Sequence, residues 1–221
     1  VTLTALALFV ATATASAESQ PSAKATVKTG TIAEITQEDV WTPILSNTVK
    51  TSQQKDLLVD TALECGLLTQ TLVKSKAGAS DTSVAEAAVE VRVLLDPGTL
   101  QEREFEPGEV TYCRRTQELT AKFAGILSNC TDQNGDGVVT IPDECTVTDE
   151  ELSLLLNTMN ANAFNFVADD VGVGIHTVEV QAKIETDTNV QAGEARAEAL
   201  VGKGTMTVEE VRLIKGEDIL L

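Results

Sequence analysis

The chain has 221 residues, with 34 Asp and Glu against 16 Lys and Arg and a formal net charge of −18. So acidic a balance excludes ordinary nucleic-acid binding, which needs a basic face to neutralise phosphates, and it disfavours anionic membrane surfaces. Aromatic residues are 3% of the chain, too few for a broad sugar-stacking platform, and only one histidine is available for catalysis.

In chain order, residues 1–17 carry no charge and end in Ala15-Ser16-Ala17 before Glu18. An apolar run followed by small residues predicts a secretory signal peptide, and it is too short for a transmembrane helix of about 20 residues. The mature protein is therefore expected to be secreted, extracellular or at the cell surface, with no membrane span. Four cysteines, Cys65, Cys113, Cys130 and Cys145, agree with an oxidising compartment. Four allow three connectivities, of which Cys65–Cys113 and Cys130–Cys145 are preferred; no C-x-x-C pair points to zinc.

Residues 18–38 begin polar and small and predict an extended arm, with a single β domain over 39–221. Trp41 is expected to pack rather than to serve as a ligand platform. In 55–74, Leu57, Val59, Leu63, Cys65 and Leu67 share one face at period two, opposite Asp60, Ala62 and Glu64, which predicts one long strand or two. Residues 84–95 alternate Val89, Val91 and Val93 with Glu90 and Arg92, and Asp96-Pro97-Gly98 ends them in a turn. A second turn at Pro107-Gly108 leads to β pattern over 110–114 and 119–127, with Leu119, Ala121, Phe123, Gly125 and Leu127 on one face.

The stretch 130–145 spells out a chemistry. Asp132, Asn134 and Asp136 place side-chain oxygens at alternate positions, and Gly137 follows at the sixth, where the chain must turn sharply. Val138 then offers a backbone carbonyl at the seventh position, Thr140 stands at the ninth and Asp143 at the twelfth. Calcium takes six to eight oxygens, and this spacing supplies them. The loop resembles the EF-hand loop, and more closely the dockerin form, in which Asp can replace Glu at the last position. The resemblance covers residues 132–143 only. It implies a Ca²⁺ ion on Asp132, Asn134, Asp136, Val138, Thr140 and Asp143, with Glu144 as the substitute if the loop slips. Cys130 and Cys145 bracket the loop, and 119–127 does not read as an entering helix, so a structural ion is expected rather than a switch.

Thr148 and Glu151 form a capping box, and Leu152, Leu155, Leu156 and Met159 fall on one stripe at i, i+3, i+4 and i+7. This predicts a helix over 148–159, making 128–160 a calcium-loop and helix insertion. Beyond it, Phe164 and Phe166 mark a strand, and Gly172 to Gly174 a turn. Val178, Val180, Ala182 and Ile184 alternate with polar residues, as do Ala195, Ala197, Ala199 and Val201. Thr205 to Ile214 closes the fold, with a bulge expected between Glu209 and Glu210.

The fold class predicted is all-β: an antiparallel two-sheet β-sandwich, immunoglobulin-like or jelly-roll in type, with one short helix after the calcium loop. Three functional readings follow. The first is a secreted structural or interaction protein that self-associates through β-edges, or joins another extracellular protein, on a surface, in a fibre or in a matrix, with the arm 18–38 as donor strand. The second is a secreted ligand-binding module for protein or carbohydrate with a structural calcium site. The third, an enzyme, is disfavoured. His176 enters a strand from a turn, no Ser-His-Asp set is visible, and all four Cys are assigned to disulfides.

Overall fold

The computed structural model describes residues 25–30, 35, 38–75, 80–123, 126–140, 143–148 and 150–213. The expected signal segment 1–17, most of the arm and Ile214 lie outside the described residues. Eleven strands follow in order: β1 Ala25–Gly30, β2 Thr42–Thr51, β3 Lys55–Ser75, β4 Ser80–Leu95, β5 Arg103–Glu104, β6 Val110–Lys122, β7 Ile126–Ser128, β8 Thr146–Thr148, β9 Glu150–Val171, β10 Gly174–Val190 and β11 Glu194–Val211. One sheet runs β1-β11-β3-β9. The second runs β2-β10-β4, with β5 and β6 both paired to β4, and β7-β8 is a small separate ribbon. All ladders between these strands are antiparallel. The two large sheets pack face to face, as a β-sandwich requires.

The period-two pattern places the core. Leu57, Val59, Leu63, Cys65 and Leu67 of β3 are buried, facing Ala87, Val89, Val91 and Val93 of β4 and Val178, Val180, Ala182 and Ile184 of β10. Because successive side chains point to opposite faces, one register per strand buries the whole set. Residues 55–74 belong to one strand, and β3, β9 and β11 are 21, 22 and 18 residues long, well beyond the usual strand. Register fixes the two ends of the sandwich. Lys55 meets Val171, Asp56 meets Val211 and Ala25 meets Glu209 at one end; Ser75 meets Glu150 and Leu72 meets Glu194 at the other.

Three expectations are corrected. Residues 150–171 form a single strand, so the helix over 148–159 is not formed, and Phe164 and Phe166 lie on the same strand as Leu152. The leucine run fits either period, because Leu152, Leu154 and Leu156 also alternate. The long neighbour β3 decides between them by offering a partner to every residue from Glu150 to Ala168. An isolated helix of this length has no such support. The β11 register shift lies between Val201 and Gly204, not between Glu209 and Glu210. A side chain at Gly204 would meet the Leu63 Cδ2 atom at 2.3 Å, so glycine lets the two strands rejoin there. Finally, the β pattern of 119–127 is divided: β6 ends at Lys122 and β7 starts at Ile126. The arm, for its part, contributes β1, paired in cis to β11, and Glu38 bridges Ile184.

A bulge gives β6 its role. Its pairing with β4 shifts between Val89 and Glu90, leaving Tyr112 and Cys113 as consecutive residues that both turn toward the opposite sheet. Cys113 is disulfide-bonded to Cys65 of β3. The Tyr112 hydroxyl lies 2.9 and 2.5 Å from the carbonyls of Thr61 and Asn162, which share its single proton, and accepts from the Leu63 amide at 3.2 Å. Burial, first of all, pushes the Tyr112 phenol up from its ordinary value. Gln117, also buried, donates to Thr71 Oγ1 and the Leu154 carbonyl and accepts from Thr69 Oγ1. The buried polar atoms of Tyr112 and Gln117 are therefore hydrogen-bonded, as burial demands.

Candidate functional site

The loop between β7 and β8 is built from local hydrogen bonds. Ile126, Leu127 and Ser128 pair with Thr148, Val147 and Thr146, and the Cys130–Cys145 disulfide closes the loop above them. The Thr131 amide donates to the Glu144 carbonyl, and the Glu144 amide to the Thr140 carbonyl, both at 2.9 Å. Glycine is required at two points inside. Gly135 and Gly137 have φ of 74° and 81°, a left-handed backbone that residues with a Cβ rarely adopt.

The side-chain oxygens accept from backbone amides of the loop itself. Asp132 Oδ1 accepts from the Gly135 amide at 2.6 Å and Oδ2 from the Gly137 amide at 2.8 Å. Asn134 Oδ1 accepts from the Asp136 amide at 2.9 Å, and Asp136 Oδ1 from the Val138 amide at 2.7 Å. Glu144, only 7% exposed, receives the Gln133 and Asn134 amides on Oε1 and the Thr140 amide on Oε2. Asp143 is exposed, so the carboxylate that enters the loop from its far end is that of the next residue, Glu144. Val138 and Val139 expose their side chains, which leaves the backbone as what they contribute.

Backbone amides aimed at a carboxylate favour its ionised form. The Gly137 amide, followed by that of Gly135, holds the Asp132 carboxyl below its ordinary range; the Thr140 amide, then that of Gln133, does the same for Glu144. A depressed folded-state value stabilises the loop above the ordinary carboxylate range, and this contribution disappears as pH falls through the folded value. In an acid titration followed by NMR, the Gly137 and Thr140 amide shifts are expected to move with midpoints below ordinary Asp and Glu values. Midpoints at the ordinary values would show that the amide clamps do not form.

As a donor set, Asp132, Asn134, Asp136, the Val138 carbonyl and Glu144 match a hard cation, and each carboxylate oxygen has lone-pair capacity beyond one amide bond. In the arrangement present, these oxygens are turned to backbone amides. Among the described residues, no group of three or more His, Cys, Asp or Glu side chains is placed to hold a metal ion.

Two other polar clusters are paired within the protein. His176, largely buried, pairs its Nδ1 with Asp96 Oδ2 at 2.8 Å and its Nε2 with the Gly172 carbonyl at 2.9 Å, while Asp96 Oδ1 accepts from the Thr177 amide. These bonds tie the turn after β4 to the turn between β9 and β10. On the outer face of the second sheet, Lys183 lies 2.8 Å from Glu90, 2.9 Å from Glu185 and 3.3 Å from Glu109. The Glu90 carboxylate, foremost, pushes the Lys183 ammonium up from its ordinary value. Arg92 and Lys183 also stand 4.4 and 5.0 Å from the centroid of the Trp41 ring. Trp41 therefore packs under cations. An open hollow of about 550 Å³ lies over Ala62, Ala161, Lys203 and Gly204. Its one nearby carboxylate, Glu64, already accepts from the Lys203 amide at 3.1 Å.

What sequence patterning missed is the edge of the first sheet. β9 is terminal in its sheet, and Leu152, Leu155 and Met159 are 46%, 57% and 54% exposed. The available signal was the uncharged run itself, which the helical reading absorbed.

Fold and site together define an antiparallel β-sandwich whose sheets are joined by the Cys65–Cys113 disulfide, with an Asx- and Gly-rich loop, closed by the Cys130–Cys145 disulfide, at one end. No protein-family model, curated protein or solved structure matches the chain. Among the described residues no helix is long and apolar enough to cross a membrane.

Proposed function

We propose that the protein is a secreted structural or interaction module that associates with further copies of itself, or with another extracellular protein, on a surface, in a fibre or in a matrix. The observation that carries this reading is the edge at β9, which exposes leucines and, among the described residues, has no pairing strand beyond the bridge at Val167, on a body whose two sheets are joined by the Cys65–Cys113 disulfide. Sheet edges accept added strands. Both disulfides are compatible with an oxidising, extracellular setting. On this reading calcium braces the loop 130–145, held by Asp132, Asn134, Asp136, the Val138 carbonyl and an acidic residue at 143 or 144. Bound there, it would supply divalent positive charge to a cluster of carboxylates. Divalent ions would also screen the net charge of −18 that otherwise keeps copies apart.

Light scattering on the protein in calcium, and again after chelation, tests the reading. Large or filamentous species in calcium are expected, and their loss on chelation would place the ion at the assembly step. Large species under both conditions would leave the ion only a local brace. A monomer under both conditions, at all concentrations tested, would overturn the assembly reading.

A further inference from the structure

The outer edge of β9 can be read residue by residue. Val167 exchanges both backbone hydrogen bonds with Glu106, its amide donating at 2.9 Å and its carbonyl accepting at 2.8 Å, on the side away from β3. In an antiparallel ladder such outward-facing residues alternate with inward-facing ones. The β3–β9 register is unbroken from Glu150 to Ala168. The amides and carbonyls of Ser153, Leu155, Asn157, Met159, Ala161 and Ala163 therefore point outward as well. Beyond Val167 no strand among the described residues pairs with them.

This edge lacks the usual guards against pairing. Between Glu151 and Asp169 there is no charged residue and no proline, and no bulge interrupts the ladder there. In a chain of net charge −18, two copies repel each other over most of their surfaces, whereas an uncharged edge of this length lets them meet. The strand is also self-complementary. An antiparallel pairing about a twofold axis at Asn157 sets Leu155 opposite Met159 of the second copy and Ser153 opposite its Ala161. Outward-facing residues then meet outward-facing residues, so both ladders of hydrogen bonds close. The exposed Leu154 and Leu156 of each copy fall on one face of the joined sheet, and no two like charges stand opposite each other between Leu152 and Asn162.

We propose that the occupant of this edge is a second copy of the chain, joined β9 to β9 in antiparallel register about Asn157, so that the two four-stranded sheets become one continuous eight-stranded sheet. The inference rests on the assembly reading above and specifies where and with what register the first contact forms.

Two variants at one exposed position test it by sedimentation. Asn157→Lys brings like charges face to face across the axis and is expected to weaken dimer formation roughly tenfold or more, with the circular dichroism spectrum unchanged. Asn157→Cys places two thiols opposite each other and is expected to form a cross-linked dimer on mild oxidation, identified by mass spectrometry. Val27→Cys, on the exposed strand β1 at the other edge of the sheet, should stay uncross-linked. If the native chain assembles, but Asn157→Lys assembles equally well and Asn157→Cys does not cross-link, this inference fails and the assembly reading survives. Cross-linking through Val27→Cys in place of Asn157→Cys would move the contact to β1 and overturn the β9 register. A native chain that stays monomeric at every concentration overturns both.

Discussion

Replacing Cys65 and Cys113 together by alanine is expected to lower the unfolding free energy by about 4 kcal/mol. The bridge joins β3 of one sheet to β6 at the margin of the other and closes a separation of 48 residues. In the chain-entropy account, opening so long a loop restores freedom to the unfolded chain, whereas the native sheets remain in contact. β6 would still be held by the Tyr112 and Gln117 hydrogen bonds to β3 and β9, so the double variant is expected to fold. Thermal unfolding should then occur about 10 °C lower, given the size of the chain. A loss below about 1 kcal/mol would show that β3 and β6 are held by those polar contacts and by core packing, with little need of the bridge. The Cys130–Cys145 bridge spans 15 residues and constrains only its own loop. Its removal should leave the sandwich intact and weaken the protection of the Gly137 amide against hydrogen exchange.

The second large effect is expected from Phe166→Ala, at about 3–5 kcal/mol. Phe166 is fully buried, and its ring centroid lies 5.2 Å from that of Phe164 in a tilted arrangement. Its neighbour Val167 bridges to Glu106, so backbone bonds on both sides of the strand hold the site open and oppose collapse around the vacancy. Phe164→Ala provides the comparison. That side chain is 40% exposed, and its truncation is expected to cost about 1 kcal/mol. Urea unfolding of the two variants distinguishes them. Equal losses would mean that the two rings act as one unit rather than as a core residue and its cover.

Much of this architecture is legible in the sequence because alternation has a single physical reading when one face is buried. Leu57 to Leu67 and Val178 to Ile184 show it plainly, and the favoured cysteine pairing is the one formed. The leucine run of β9 was not legible for the opposite reason. An edge strand exposed on both faces loses the contrast between faces that marks a strand, and Leu152, Leu155, Leu156 and Met159 then satisfy a helical stripe equally well. Only the presence of a long partner, β3, decides between them. The bulge at Tyr112 and Cys113 was hidden as well, since two consecutive inward residues look like noise in a period-two pattern until the opposing strand is known. In the loop, the spacing of Asp132, Asn134 and Asp136 picked out side-chain oxygens that accept from backbone amides of the loop itself. Whether Asp143 or Glu144 turns its carboxylate to the loop amides depends on backbone turns such as those at Gly135 and Gly137, which spacing alone does not determine.

The long strands give the molecule two poles. β1 begins and β11 ends beside Asp56, whereas the loop 130–145 departs from the pole where Ser75 faces Glu150. At about 3.3 Å per residue, the length of β9 separates those poles by about 70 Å. A chain tethered through residues before Ala25 or after Val211 would stand like a stalk, with the loop at its tip and β9 running along its flank. Because β9 meets β9 in antiparallel register about Asn157, two joined stalks would point in opposite directions, so the contact suits copies rooted in facing surfaces and not neighbours rooted in the same one.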